Sequence, residues 1–189
     1  MTVNLNKRNL SLLWSAQIIS ASGDAVYQLA LLWLVLDMTN SSTMTGLVAM
    51  SAYLPALIFG LYAGVMADKL NRLWLMMIAS AGQALTVLLI PFSLWFGYKN
   101  ILLVGGLAFL RSCFNTLFQP AFNSFIPMLF PKKRLVRVNA LLATSGQLAW
   151  MLGPFFAGVL LSISSLPNLF IIDSTSFIAA IFLLFFLRR

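Results

Sequence analysis

Six long apolar runs dominate the chain, and short polar stretches separate them. A membrane-spanning helix needs about 20 apolar residues, and more when it is tilted. By that measure the spans cover residues 10–36, 44–67, 73–96, 101–130, 135–161 and 169–187. The fourth is expected to be broken by Pro120 and Pro127, because proline lacks an amide donor and crowds the preceding turn. The loops at 37–43 and 162–168 leave no room for a soluble domain between spans. The predicted fold is all-α: a single six-helix transmembrane bundle over residues 1–189.

Polar residues inside the spans form stripes. Gln17, Ser20, Asp24, Tyr27 and Gln28 recur at spacings of three and four, one side of a helix. Arg111, Asn115, Gln119 and Asn123 recur every four residues on the fourth span. Asp24 lies about 21 Å along its span, and Arg111 about 15 Å along its own. The two charges therefore share a depth. Facing lipid, each would cost roughly 2.5–3.5 kcal/mol, so both are expected to point inward, paired or wetted. Two readings of the pair stand here. It is a structural lock between helices, or it is a carboxylate that titrates as the arginine approaches and withdraws.

Lys and Arg positions set an expected orientation. Lys7, Arg8, Lys69, Arg72, Lys132, Lys133, Arg134, Arg137, Arg188 and Arg189 fall on one side, with Lys99 alone on the other. Positive charge accumulates on the cytoplasmic side, so both termini are expected there. Lys7 and Arg8 ahead of an apolar run, with Ala21-Ser22-Gly23 beyond, could pass for a secretory signal. The apolar pattern resumes at Ala25, which predicts an uncleaved first span.

Composition narrows the classes. The chain is 61% hydrophobic and 8% charged, against about 25% charged in soluble domains. Lipid must cover most of its surface. The net charge of +8 comes in small groups between spans, with no long basic face to track a nucleic acid. Anionic lipid headgroups explain it better. With no histidine and no glutamate, neither a metal cluster nor an enzymatic acid–base pair is expected, and no cofactor. Cys113 is expected to be a small packing residue. Asp173, near the outer end of the sixth span, is expected to serve at the interface or the helix start.

A weak internal repeat is visible. Spans one and four each carry a charge, Asp24 and Arg111. Spans two and five each carry proline and spaced glycine: Pro55, Gly60 and Gly64, then Gly153, Pro154 and Gly158. Three spans are an odd number, so a second copy inserts inverted. Inverted three-helix repeats are a device of secondary transporters.

Gly64-Val65-Met66-Ala67-Asp68-Lys69-Leu70-Asn71-Arg72 resembles the loop signature G-x-x-x-D-[RK]-x-G-[RK] of the major facilitator superfamily. Gly64 is expected to let helices approach closely. Asp68 and Arg72 are expected to form charge-assisted hydrogen bonds. Asn71 replaces the family's glycine, and asparagine tolerates a left-handed turn better than most residues. Arg111 resembles the family's intramembrane arginine motif without its following glycine. The stretch from Gly146 through Gly153-Pro154 to Ala157-Gly158 resembles the fifth-span antiporter motif. Leu13-Trp14, Gln17, Gly23-Asp24 and Trp33-Leu34-Val35 look like the macrolide-efflux branch of drug:proton antiporters.

The resemblance implies half of a twelve-helix transporter in a bacterial inner membrane. Its implied activity is efflux of an amphipathic or lipophilic molecule against proton entry. It casts Asp24 and Arg111 as the proton-coupling pair. Gly64, Asp68, Lys69, Asn71 and Arg72 become a conformational latch. Gln17, Tyr27, Gln28, Asn115, Phe118, Gln119 and Asn123 would line the substrate cavity. Expected partners are membrane lipids, a small-molecule substrate, protons, and a second six-helix half or a second copy as a homodimer. Export of a lipid or siderophore is an alternative, as is a half-length module that assembles with a partner and does not transport alone.

Overall fold

The computed structural model describes residues 2–187, with side chains from residue 7 onward; Arg188 and Arg189 lie outside the described residues. Seven helices are described: α1 (Thr2–Thr39), α2 (Ser42–Ser51), α3 (Leu54–Lys69), α4 (Arg72–Trp95), α5 (Ile101–Leu129), α6 (Lys132–Ile163) and α7 (Leu166–Phe185). Taking α2 and α3 together, six stretches are long and apolar enough to cross a membrane.

Side-chain caps start three of the helices. Ser41 caps α2 through the amide of Met44. Asn100 caps α5 through Leu102. Asn71 caps α4, accepting from the amides of Leu73 and Trp74 at 3.1 and 3.4 Å. Each cap satisfies donors that the first turn leaves open. Asn71 is extended, with φ −66° and ψ 111°. The left-handed turn expected there does not form. The asparagine serves as a cap, which glycine lacks the side chain to do. Asn40, between α1 and α2, is the described non-glycine residue with positive φ, at 48°.

The second span departs from its expected single helix. It breaks between Ser51 and Leu54, and Pro55 sits in the first turn of α3. The ring of Pro55 would crowd the carbonyl of Ser51, four residues back. The hydroxyl of Ser112 on α5 donates to the carbonyl of Ala52 at the break. The fourth span departs the other way. Helix α5 runs unbroken through Pro120 and Pro127. Each proline removes one backbone bond, a loss that packing within a bundle tolerates.

The most extensive packings are α1 on α7, α4 on α5, α4 on α7, α1 on α6 and α3 on α5. Exchange the first three spans with the last three, and this set maps onto itself: α1–α7 becomes α5–α4, and α1–α6 becomes α5–α3. The α4–α7 contact maps to itself. That is the pairing pattern of two inverted three-helix repeats. Two apolar clusters hold the bundle. One gathers Leu13, Met76, Phe122, Phe125 and Leu184; the other gathers Leu31, Val35, Val87, Ile90 and Phe170. On α1 they leave a gap between Ala16 and Val26, and the charged residues fall in it.

Candidate functional site

At that gap Arg111 reaches from α5 to two carboxylates. Its Nη2 donates to Asp24 Oδ1 on α1. The same nitrogen lies 3.5 Å from Asp173 Oδ2 on α7. The guanidinium carbon sits 3.9 Å from the centre of the Tyr27 ring and 5.6 Å from that of Phe177. A guanidinium stacks on an aromatic face while its edge binds carboxylates, which lysine's point charge does less well. Tyr27 is held in turn by an edge-to-face contact with Phe170.

The two carboxylates differ in access. The side chain of Asp24 is 27% exposed, that of Arg111 12%, and that of Asp173 0%. Neither oxygen of Asp173 accepts a hydrogen bond within the described residues. Its tie to Arg111 is electrostatic. Gly23 makes the approach of α7 possible, because a Cβ there would overlap Ser176 and Asp173.

Asp173 corrects a sequence expectation. It is not interfacial, but lies buried beside the arginine that Asp24 binds. The helix begins at Leu166, so Asp173 stands about 10 Å inside it. Ser174 and Ser176 mark the same polar patch; Ser174 donates to the carbonyl of Ala84 on α4. Four consecutive polar residues, Asp173 to Ser176, in an apolar run are the signal in the sequence that points to it.

A cavity of about 510 Å³ opens beside the pair. Asp24, Tyr27 and Gln28 line it from α1, and Arg111, Asn115, Gln119 and Asn123 from α5. Tyr53 and Gly60 contribute from the broken second span, and Trp150 from α6. The structure does not bring Gln17 and Phe118 to it. Both border a separate void of about 10 Å³ inside the cluster at the basic end. Phe118 stacks on Phe122 there, with ring centres 5.7 Å apart. Gln17 is two turns before Asp24, where aromatic packing has closed the space. Asn123 stays on the cavity face because α5 continues through Pro120.

The loop residues form a looser arrangement. Arg72 Nη2 lies 3.8 Å from Asp68 Oδ1, whose side chain is 74% exposed, and Arg72 Nη1 also reaches Met128 Sδ on α5 at 2.8 Å. At 3.8 Å this is an ion pair and not the hydrogen bond expected. Lys69 ends α3. Gly64 faces open space, which corrects the expectation of a close helix contact within this chain. On α6 only one motif glycine is crowded. A Cβ on Gly153 would overlap that of Ala25 on α1. One on Gly146 would meet Gln17 at an ordinary 3.5 Å, and Gly158 is open. Pro154 lies inside the helix, and Ala157 is buried.

Six spans in inverted halves, with a charge cluster facing a polar cavity, define half of a secondary transporter fold. The chain belongs to the transmembrane secretion effector family of the major facilitator superfamily, whose model matches residues 3–189. It is a multi-pass membrane protein of bacterial type. It is 31% identical over 190 residues to an uncharacterized MFS-type transporter, YfiS, of Bacillus subtilis, covering 97% of this chain and 43% of that protein. It is 30% identical over 165 residues to the multidrug efflux pump Tap of Mycobacterium tuberculosis, covering 84% and 39%. Macrolide efflux protein A of Streptococcus pyogenes is 26% identical over 166 residues, covering 85% and 40%. The chain thus spans about two fifths of the length of these relatives. No solved structure gives a significant match.

Proposed function

We propose that the chain is one six-helix unit of an exporter that moves amphipathic molecules out of the cell as protons move in. The observation that carries this is Arg111 between a cavity-facing carboxylate and a buried one. One guanidinium balances one carboxylate. The second leaves a negative charge in a low-dielectric interior, which is costly without compensation. A proton is the smallest compensation.

In this scheme Asp24 takes the proton from the cavity, being the more accessible. Neutral Asp24 holds Arg111 less tightly, and the guanidinium turns to Asp173. Loss of the proton reverses the exchange. Because the three groups stand on α1, α5 and α7, the exchange loads and unloads helices of both repeats. Tyr27, Gln28, Asn115, Gln119 and Asn123 offer amide and phenol groups to the cargo, and Tyr53 and Trp150 offer aromatic faces. A second six-helix unit closes the open side of the cavity. Asp68, Lys69 and Arg72 act as the latch at the basic end, and Gly158, open in this chain, meets that second unit. The names of the relatives, a multidrug pump and a macrolide efflux protein, support the cargo class.

The test is dye transport in inverted membrane vesicles from cells expressing the protein. Imposing a pH gradient should drive uptake of a lipophilic cationic dye by the wild type, and Asp24→Asn should abolish it. Wild-type rates in Asp24→Asn would refute the coupling role.

A further inference from the structure

Two cavities outside the polar site lie end to end along the seam between α1 and α6. One, of about 710 Å³, is at the basic end of the bundle and is lined by Lys7, Leu10, Arg134, Arg137 and Thr144. The other, of about 680 Å³, lies between α1, α6 and α7, with Trp14, Ile18, Leu148, Leu152 and Phe156 on its walls. Their linings share register. On α1, Lys7, Leu10, Trp14 and Ile18 follow at three and four residues. On α6, Arg137, Leu141, Ser145, Leu148 and Leu152 do the same. One stripe therefore runs from cationic to apolar on both helices. Trp14 lines the apolar cavity one turn beyond Leu10 of the basic one, its indole donating to Ser145 Oγ at 2.8 Å.

Among the described residues these cations have no carboxylate partner. The chain has four acidic residues. Asp24 and Asp173 face Arg111, and Asp68 faces Arg72. Asp37 is thirty residues along α1 from Lys7, about 45 Å away. Lys7, Arg134 and Arg137 thus converge on a cavity with no acid among the described residues to balance them. The distance from Arg137 to Leu152 is about 22 Å, more than the roughly 15 Å depth of one bilayer leaflet.

We propose that this seam is a binding site for one anionic phospholipid. The phosphate sits among Lys7, Arg134 and Arg137, and an acyl chain lies in the apolar groove between α1, α6 and α7. The charge selects the headgroup, and the groove, which opens toward the bilayer, admits the chain. This lipid is a resident on the side of the unit formed by α1, α6 and α7. It does not share the polar cavity, whose lining has only Trp150 of α6 and none of α7.

Trp14 supplies a local reporter. With Trp33, Trp74, Trp95 and Trp150 each replaced by phenylalanine, Trp14 fluorescence is read in phosphatidylcholine vesicles. These contain a minor fraction of chain-brominated phosphatidylglycerol or chain-brominated phosphatidylcholine. Brominated phosphatidylglycerol should quench Trp14 well beyond its mole fraction. Arg134→Gln with Arg137→Gln should weaken that preference roughly tenfold. Lys132→Gln with Lys133→Gln, equal in charge but outside the cavity, should leave it in place. Equal quenching by both lipids overturns the proposal, as does equal loss in the two charge pairs. Reversal by excess free glycerol phosphate would mark a soluble-anion site and also overturn it. If the tryptophan replacements prevent folding, native mass spectrometry of the unaltered chain counts retained phosphatidylglycerol against phosphatidylcholine. The two charge pairs are then compared in the same way: a preference lost only with Arg134 and Arg137 upholds the site, and no preference, or equal loss in both pairs, overturns it.

Discussion

At the scale of single residues, the site is a charge-balance problem. Arg111→Gln leaves Asp24 and Asp173 facing each other in the interior. Breaking a buried pair from one side costs about 3–5 kcal/mol. Thermal unfolding in detergent should show that loss, with a large fall in melting temperature. Asp173→Asn does the opposite. It removes the unbalanced charge and leaves Asp24 with Arg111, so stability should hold or rise in the same measurement. Transport should then lose its response to a pH gradient, because Arg111 has lost its second partner. A variant with wild-type pH response would remove Asp173 from the scheme. The sequence makes the first pair readable, since Asp24 and Arg111 stand alone at mid-span in apolar runs. It hides the third member, because the apolar run begins at Leu169, three residues after the helix does, and so sets Asp173 toward the interface.

At the scale of helices, the glycines of the two motifs separate into two kinds. Gly153 is pressed against Ala25, so Gly153→Val must push α6 off α1. Overpacking of this kind typically costs about 1–3 kcal/mol. The expected result is a lower melting temperature and poorer recovery from the membrane. Gly64→Ala and Gly158→Ala meet open space in this chain and should leave the melting temperature unchanged. If those positions face a second six-helix unit, transport falls while the fold stays intact. A transport assay beside the melt separates the two effects. Sequence periodicity places the helices but not their interruptions. Pro55 breaks its span and Pro120 does not, and the difference lies in neighbours that a single chain of letters does not display. Ser112 supplies a partner at the first site. At the second, α5 is packed along α4 and continues.

At the scale of the whole molecule, the symmetry of packing extends the weak repeat seen in the sequence. Proline, glycine and charge positions hint at it, and the helix pairings display it throughout the bundle. The surface left over is uneven. Helices α3 and α6 carry exposed large apolar side chains, such as Leu57 and Leu61 on one and Met151 and Phe155 on the other. The polar cavity opens between them. Light scattering of the purified protein, corrected for detergent, should therefore give at least two six-helix units per particle. A single unit per particle would contradict the closed-cavity scheme. The exposed Asp68–Arg72 pair should matter little to the fold. Asp68→Asn is expected to cost no more than about 1 kcal/mol in the melt. Its effect belongs in transport, where a latch would show as slowed turnover.

Helix α6 is fastened mainly along α1, and α3 mainly along α5. Each is a shutter with a single hinge line. Such a part can swing without unzipping the interior, since the rest of its perimeter grips almost nothing. The point where Gly153 bears on Ala25 is then a fulcrum. A small tilt of α1 there becomes a larger sweep at the ends of α6, whereas α3, whose Gly60 and Gly64 meet open space, bears on α5 through no such glycine.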